Sequence, residues 1–86
     1  IVQKYINKPL LINKRKFDIR TFALLCSING RHKAYYYEEG YLRTSCQEFS
    51  TKTMSSSVHL TNDAIQKNDK NYGKYEAGNK ISYSDF

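Results

Sequence analysis

Lys16, Asp18 and Arg20 stand at alternate positions of the stretch RKFDIR. Successive side chains of an extended chain point to opposite faces, so in a strand all three share one side. Two readings fit: a solvated sheet face, or a face that binds something charged. A second arginine, Arg43, follows in YLRT. A mixed Lys, Asp, Arg, Arg cluster can hold phosphate and carboxylate groups, the arginines through bidentate forks and the aspartate by orienting a cation or a hydroxyl. Other chemistry is sparse. His59 has no second ligand in range and reads as a hydrogen-bonded structural residue. The chain has no CxxC pair, no Gly-rich phosphate loop and no Ser-His-Asp grouping.

The elements that must position the cluster follow from turn chemistry. Residues 16–28 and 33–44 are two β-rich segments joined through Asn29-Gly30, a pair that tolerates positive φ and signals a hairpin. With a two- or four-residue turn, even positions before it share a face with odd positions after it. One face then collects Lys16, Asp18, Arg20, Phe22, Leu24 and Cys26 with Tyr35, Tyr37, Glu39, Tyr41 and Arg43. The other, with Phe17, Ile19, Thr21, Ala23, Leu25, Ala34, Tyr36, Gly40 and Leu42, reads as the core side. In either register Arg43 lies near Lys16, Asp18 or Arg20, and a bulge at Glu38-Glu39-Gly40 would shift this.

Elsewhere the pattern is weaker. Residues 1–6 alternate apolar and polar side chains and read as a strand that Pro9 breaks, with Leu10-Leu11-Ile12 as a short apolar patch after it. Residues 44–57, rich in Ser and Thr, read as a mobile loop, and residues 68–79, polar with two glycines, as another. Between them Thr61 or Asn62 is placed to cap a short helical turn over residues 63–67. Ser84-Asp85-Phe86 reads as a serine cap opening a helix with no body, and the chain as a piece of a larger domain. Eighty-six residues with 40% hydrophobic content have little apolar material to bury. The net charge of +6 and a pI near 9.4 favour an acidic partner: nucleic acid, nucleotide phosphate, anionic membrane or an acidic protein tail. No apolar run approaches membrane-spanning length, so a soluble chain is expected. Cys26 and Cys46 are too few for a disulfide framework and read as reduced thiols of an intracellular protein.

The ordered series QKYI, KPLLI, RKFDIR, EGYLR, HLTN, IQK and KNYGKYEAGN resembles the central part of the catalytic domain of the tubulin tyrosine ligase family. The resemblance runs over nearly the whole chain. It implies an α+β chain that forms part of an ATP-grasp fold, with an antiparallel, hairpin-centred sheet, flanking loops and short helices. Residues 1–86 would be a partial domain, incomplete at both ends. It further implies that Gln3, Lys4, Tyr5 and Ile6 form the edge against which adenine lies, and that Lys16 and Asp18 stand at the nucleotide. Thr61 and Asn62 match a pair near the phosphates. Arg20 and Arg43 match active-site arginines that hold the incoming amino acid's carboxylate or an acyl phosphate.

Such enzymes use ATP with Mg2+ to join a free amino acid to tubulin or a similar acidic protein. The resemblance leaves tyrosine, glutamate and glycine open as that amino acid. Asp63 and Gln66 depart from the pattern of the glutamate-adding members, and IQK with KNYGKYEAGN looks more like the tyrosine-adding enzyme and its near relatives. The resemblance also implies magnesium ligands outside this chain, the acidic C-terminal tail of tubulin as partner, and a cytoplasmic, microtubule-associated location, with cilia an option. A competing reading is a nucleic-acid-binding module stacking bases on Tyr35, Tyr37 and Tyr41. Asp18, Glu38 and Glu39 within that surface count against it. No nucleic-acid or membrane partner is therefore expected.

Overall fold

The computed structural model describes residues 1–86. Its strands are β1 (Leu11–Ile12), β2 (Arg15–Arg20), β3 (Ala23–Ile28), β4 (Arg31–Tyr36), β5 (Tyr41–Glu48) and β6 (Lys80–Ser82). Two single-turn helices, α1 (Ser56–His59) and α2 (Asp63–Gln66), and a 3-10 turn at Ala77–Asn79 complete an α+β chain. All pairings are antiparallel: β1-β2-β5-β6 form one sheet, while β3 and β4 form a separate two-stranded ribbon.

The expected hairpin is therefore one ribbon broken in two. Ile28 pairs with Arg31 across a two-residue turn. Asn29 and Gly30 have φ of 51° and 74°, the doubly left-handed turn whose twist matches the flanking strands. Pairing runs on to the Tyr37 N–H, which donates to the Phe22 carbonyl at 3.0 Å. It resumes at Arg20 opposite Tyr41, displaced by two residues across Glu38-Glu39-Gly40. An even displacement preserves which side chains share a face, so Asp18 lies directly opposite Arg43.

Gly40 allows the chain to close at this junction. A Cβ there would stand 2.5 Å from the Arg20 carbonyl oxygen and collide with the Tyr83 hydroxyl. Glycine is required by close approach of backbone to backbone.

The core lies elsewhere than the alternation suggests. Of the expected core face only Leu42 is buried; Ile19 on β2 is exposed, and Leu25 and Tyr36 are exposed because no element of this chain packs on either side of the β3–β4 ribbon. Burial concentrates instead around the second half of β5, where Thr44, Ser45 and Cys46 are almost fully enclosed with Arg15, Val58, Gln66 and Asn79. Residues 44–48 are thus strand, against the expectation of a mobile loop from residue 44 onward. Their hydroxyls are satisfied internally: Thr44 Oγ1 donates to Glu76 Oε2 at 2.8 Å, and Ser45 Oγ donates to the Ser57 carbonyl at 2.6 Å. A polar residue whose hydrogen bonds are met inside can be buried at little cost.

Residues 1–6 also differ from expectation: they form no strand and are exposed. A strand needs a neighbour for its ladder, and the free side of β2 is taken by Leu11–Ile12. At the other end, Ser82 caps a terminal turn in place of Ser84. The Asp85 N–H donates to Ser82 Oγ, and the Phe86 N–H to the Ser82 carbonyl. Both thiols are free, Cys46 buried and Cys26 half-buried. No helix is long and apolar enough to cross a membrane.

Candidate functional site

The charged face of β2 continues onto β5 as one surface. Arg43 forks onto Asp18, with Nε donating to Oδ1 at 2.8 Å and Nη2 to Oδ2 at 2.5 Å. Burial pushes the Asp18 carboxyl up, but the Arg43 hydrogen bonds and charge, the Thr61 hydroxyl and the Arg20 charge outweigh it and hold the group below its usual value. The same fork raises Arg43. Asp18 and Arg43 therefore form one unit, with the Thr61 hydroxyl and the Arg20 charge near enough to lower the carboxyl further. The Arg20 guanidinium stacks 5.5 Å from the Phe22 ring and makes no ion pair. It is the cation of this group left open to an anionic ligand.

Lys16, one turn of the pleat away, reaches in another direction. Its ammonium donates to the His59 carbonyl at 2.9 Å and to the Tyr5 hydroxyl at 3.4 Å, and lies 4.9 Å from the Tyr5 ring centroid. His59 completes the tether. Its Nε2 donates to the Thr53 carbonyl at 2.7 Å, which leaves Nδ1 to accept from the Tyr5 hydroxyl at 2.6 Å. Both ring nitrogens are occupied, in keeping with a structural histidine. Beside the tether opens a cleft of about 420 Å3 lined by residues that include Tyr5, Asn7, Met54, His59 and Leu60.

The sequence-derived candidates thus divide. Tyr5 and Lys16 come together at His59, while Asp18, Arg43 and Thr61 come together between β2, β5 and the start of α2. Gln3, Lys4 and Ile6 lie exposed on the irregular N-terminal segment, attached to the sheet side only through Tyr5. Asn62 occupies the N-cap position of α2, yet its side chain makes no capping bond and is exposed. Thr61 is buried at that same entry and faces Asp18. No three His, Cys, Asp or Glu side chains converge, so a magnesium ion at Asp18 would need further ligands.

Two supporting groups were not legible as such in the pattern. Arg15, adjacent to Lys16 but on the opposite face, is 2% exposed and forms a bidentate ion pair with Glu76. Its guanidinium also donates to the Ser45 carbonyl at 3.0 Å and stacks 4.2 Å from the Tyr75 ring. This pins the 68–79 segment beneath the sheet. Gln66 is the other: its side chain binds β5 and the 57–60 segment together. The available signal was the lone acid in KYEAGN and an amide at the end of the helical turn DAIQ.

Comparison with known proteins decides the family. A model described as the tubulin-tyrosine ligase family matches residues 1–85. The chain belongs to the tubulin-tyrosine ligase family. It is 48% identical over 71 residues to tubulin glycylase 3B of Drosophila melanogaster, covering 83% of this chain and 9% of that protein. It is 49% identical over 67 residues to tubulin monoglycylase TTLL3 of Danio rerio, covering 78% and 9%. Against protein monoglycylase TTLL8 of Homo sapiens it is 48% identical over 71 residues, covering 83% and 8%. The chain therefore spans less than a tenth of the length of these relatives. As a tubulin-tyrosine ligase family member it is similar to proteins named for glycine addition, one of the options left open where IQK and KNYGKYEAGN look more like the tyrosine-adding enzyme and its near relatives.

Proposed function

We propose that residues 1–86 are part of an ATP-grasp catalytic domain that uses ATP and Mg2+ to add glycine to tubulin or a similar acidic protein. The observation that carries this reading is the continuous charged face of Lys16, Asp18, Arg20 and Arg43, joined by Thr61, in a chain of this family. The choice of glycine rests on the named activities of the similar proteins.

In this reading the main chain of Gln3, Lys4, Tyr5 and Ile6 meets the adenine edge, with Tyr5 holding the segment to His59. Lys16, Thr61 and Asn62 face the phosphates, Asp18 stands at the nucleotide and orients Arg43, and the magnesium ligands lie outside this chain. ATP transfers its γ-phosphoryl group to an acceptor carboxylate, giving an acyl phosphate and ADP. Negative charge builds up as the amino group attacks the acyl carbon, before inorganic phosphate leaves and the amide bond is complete. Arg20 and Arg43 oppose that charge, and cations already fixed in place lower the barrier because they need not reorganise. Arg43 is fixed in this way by Asp18. The net charge of +6 steers an acidic tail toward the site. The location that follows is the microtubule cytoskeleton.

The test is incorporation of radiolabelled amino acid into tubulin by the full-length protein. Glycine should be incorporated with ATP and Mg2+, and not when either is omitted. Incorporation of glutamate or tyrosine alone would overturn the choice of glycine. Failure of all three, with polynucleotide binding that falls steeply as salt rises, would replace the ligase with the nucleic-acid reading.

A further inference from the structure

Gln66 is 1% exposed at the end of α2 and uses its whole amide. Its Oε1 accepts the Cys46 N–H at 2.8 Å, while Nε2 donates to the carbonyls of Ser57 at 2.9 Å and Leu60 at 2.6 Å. One side chain thus joins the central strand β5 to both ends of the segment 57–60. The next residue is Thr61, buried at the entry to α2 and near enough to Asp18 for its hydroxyl to help lower that carboxyl. Between the two carbonyls held by Gln66 lies that of His59, which accepts from Lys16 at 2.9 Å.

From this arrangement we propose that Gln66 is a positioning residue for the nucleotide side of the site. Its amide sets how far the 57–60 backbone stands from β5, and so where Thr61 meets Asp18 and where the Lys16 ammonium is held. The Ser57 carbonyl has a second donor in Ser45 Oγ at 2.6 Å, which leaves the Leu60 end dependent on Gln66. That is the end nearer Thr61. Asparagine, one methylene shorter, cannot keep the Cys46 N–H and the Leu60 carbonyl together. Methionine fills a similar volume but makes none of the three bonds. The inference rests on the nucleotide reading of Lys16 and Thr61 given above.

The experiment compares full-length wild type with Gln66→Asn and Gln66→Met. It follows amide hydrogen exchange over residues 57–62, thermal melting and affinity for ATP with Mg2+. Exchange in 57–62 should rise in both variants, and ATP affinity should fall about tenfold, with the KM for the amino acid unchanged in whichever variant melts near wild type. A variant that melts near wild type with unchanged exchange or unchanged ATP affinity overturns the proposal. So does a fall in kcat alone that tracks thermal destabilisation, since that is the mark of general loosening. If wild type itself binds no ATP, the nucleotide reading fails; the exchange difference then still reports whether Gln66 holds the segment.

Discussion

Arg43 and Asp18 are directly opposed residues on β5 and β2, and the guanidinium grips the carboxylate through both Nε and Nη2. The two act as one unit: removing Arg43 also frees a carboxylate at the site, and removing Asp18 leaves Arg43 without its orienting partner. Arg43→Ala in the full-length enzyme should lower transfer by about 100-fold, the scale for loss of a preorganised charge. Arg43→Lys should remain poor because a point charge cannot reproduce the fork. Combined with Asp18→Asn, the losses should be far from additive. Kinetic measurement of wild type, Arg43→Ala, Asp18→Asn and their double variant checks this, and independent multiplication of the two losses would dissolve the unit.

Lys16→Ala should weaken ATP binding by about 1.5–3 kcal/mol, the range for a hydrogen bond to a charged group. Titration of the folded variant with ATP and Mg2+ reads this directly. Unchanged affinity would remove Lys16 from the nucleotide site and leave it as the support of His59.

Glu76 makes stability depend on acid. Burial raises its pKa, but the Arg15 and Thr44 hydrogen bonds and the Arg15 charge more than compensate, so the net shift is downward from 4.5. A depressed carboxylate contributes stability fully above its unfolded value and loses it as pH falls through the lower folded value. Stability of the full-length protein should therefore decline below about pH 4.5, and Glu76→Gln should flatten that part of the profile. At neutral pH Glu76→Ala should cost about 3–5 kcal/mol, because Arg15 is left buried and unpaired. Its Nε already lacks a partner. Denaturant unfolding across pH provides the measurement.

Gly40→Ala should destabilise by about 1–3 kcal/mol. Tyr83 can swing aside, whereas the Arg20 carbonyl is backbone and must move with its strand. Arg20 should be displaced with it, so transfer should drop further than stability alone explains. A variant with wild-type unfolding and transfer would show that the β2–β5 junction has slack.

Residues 1–86 produced alone should show no sharp thermal transition and no shift with ATP and Mg2+. A two-stranded ribbon open on both faces is marginal in water, and Leu24, Leu25 and Ile28 on β3 are exposed in this chain. Cooperative melting with a nucleotide-dependent shift would make the segment a self-sufficient binding module.

Local sequence determined the features that depend on neighbouring residues. Asn29-Gly30 dictated its turn, and period-two alternation put Lys16, Asp18 and Arg20 on one face with Arg43, a result that survived the two-residue shift at Glu38-Glu39-Gly40 because the shift was even. The ordered motifs carried the family. Tertiary structure alone decided what that alternation could not express, namely which face is covered. The apolar side of β3 and β4 finds no partner in this chain, whereas the Ser/Thr-rich stretch after Arg43 is enclosed because Glu76, Gln66, Asn79 and Arg15 arrive from distant positions to satisfy its polar groups. Burial of polar residues depends on partners far away in sequence, and no local pattern records where those partners will come from.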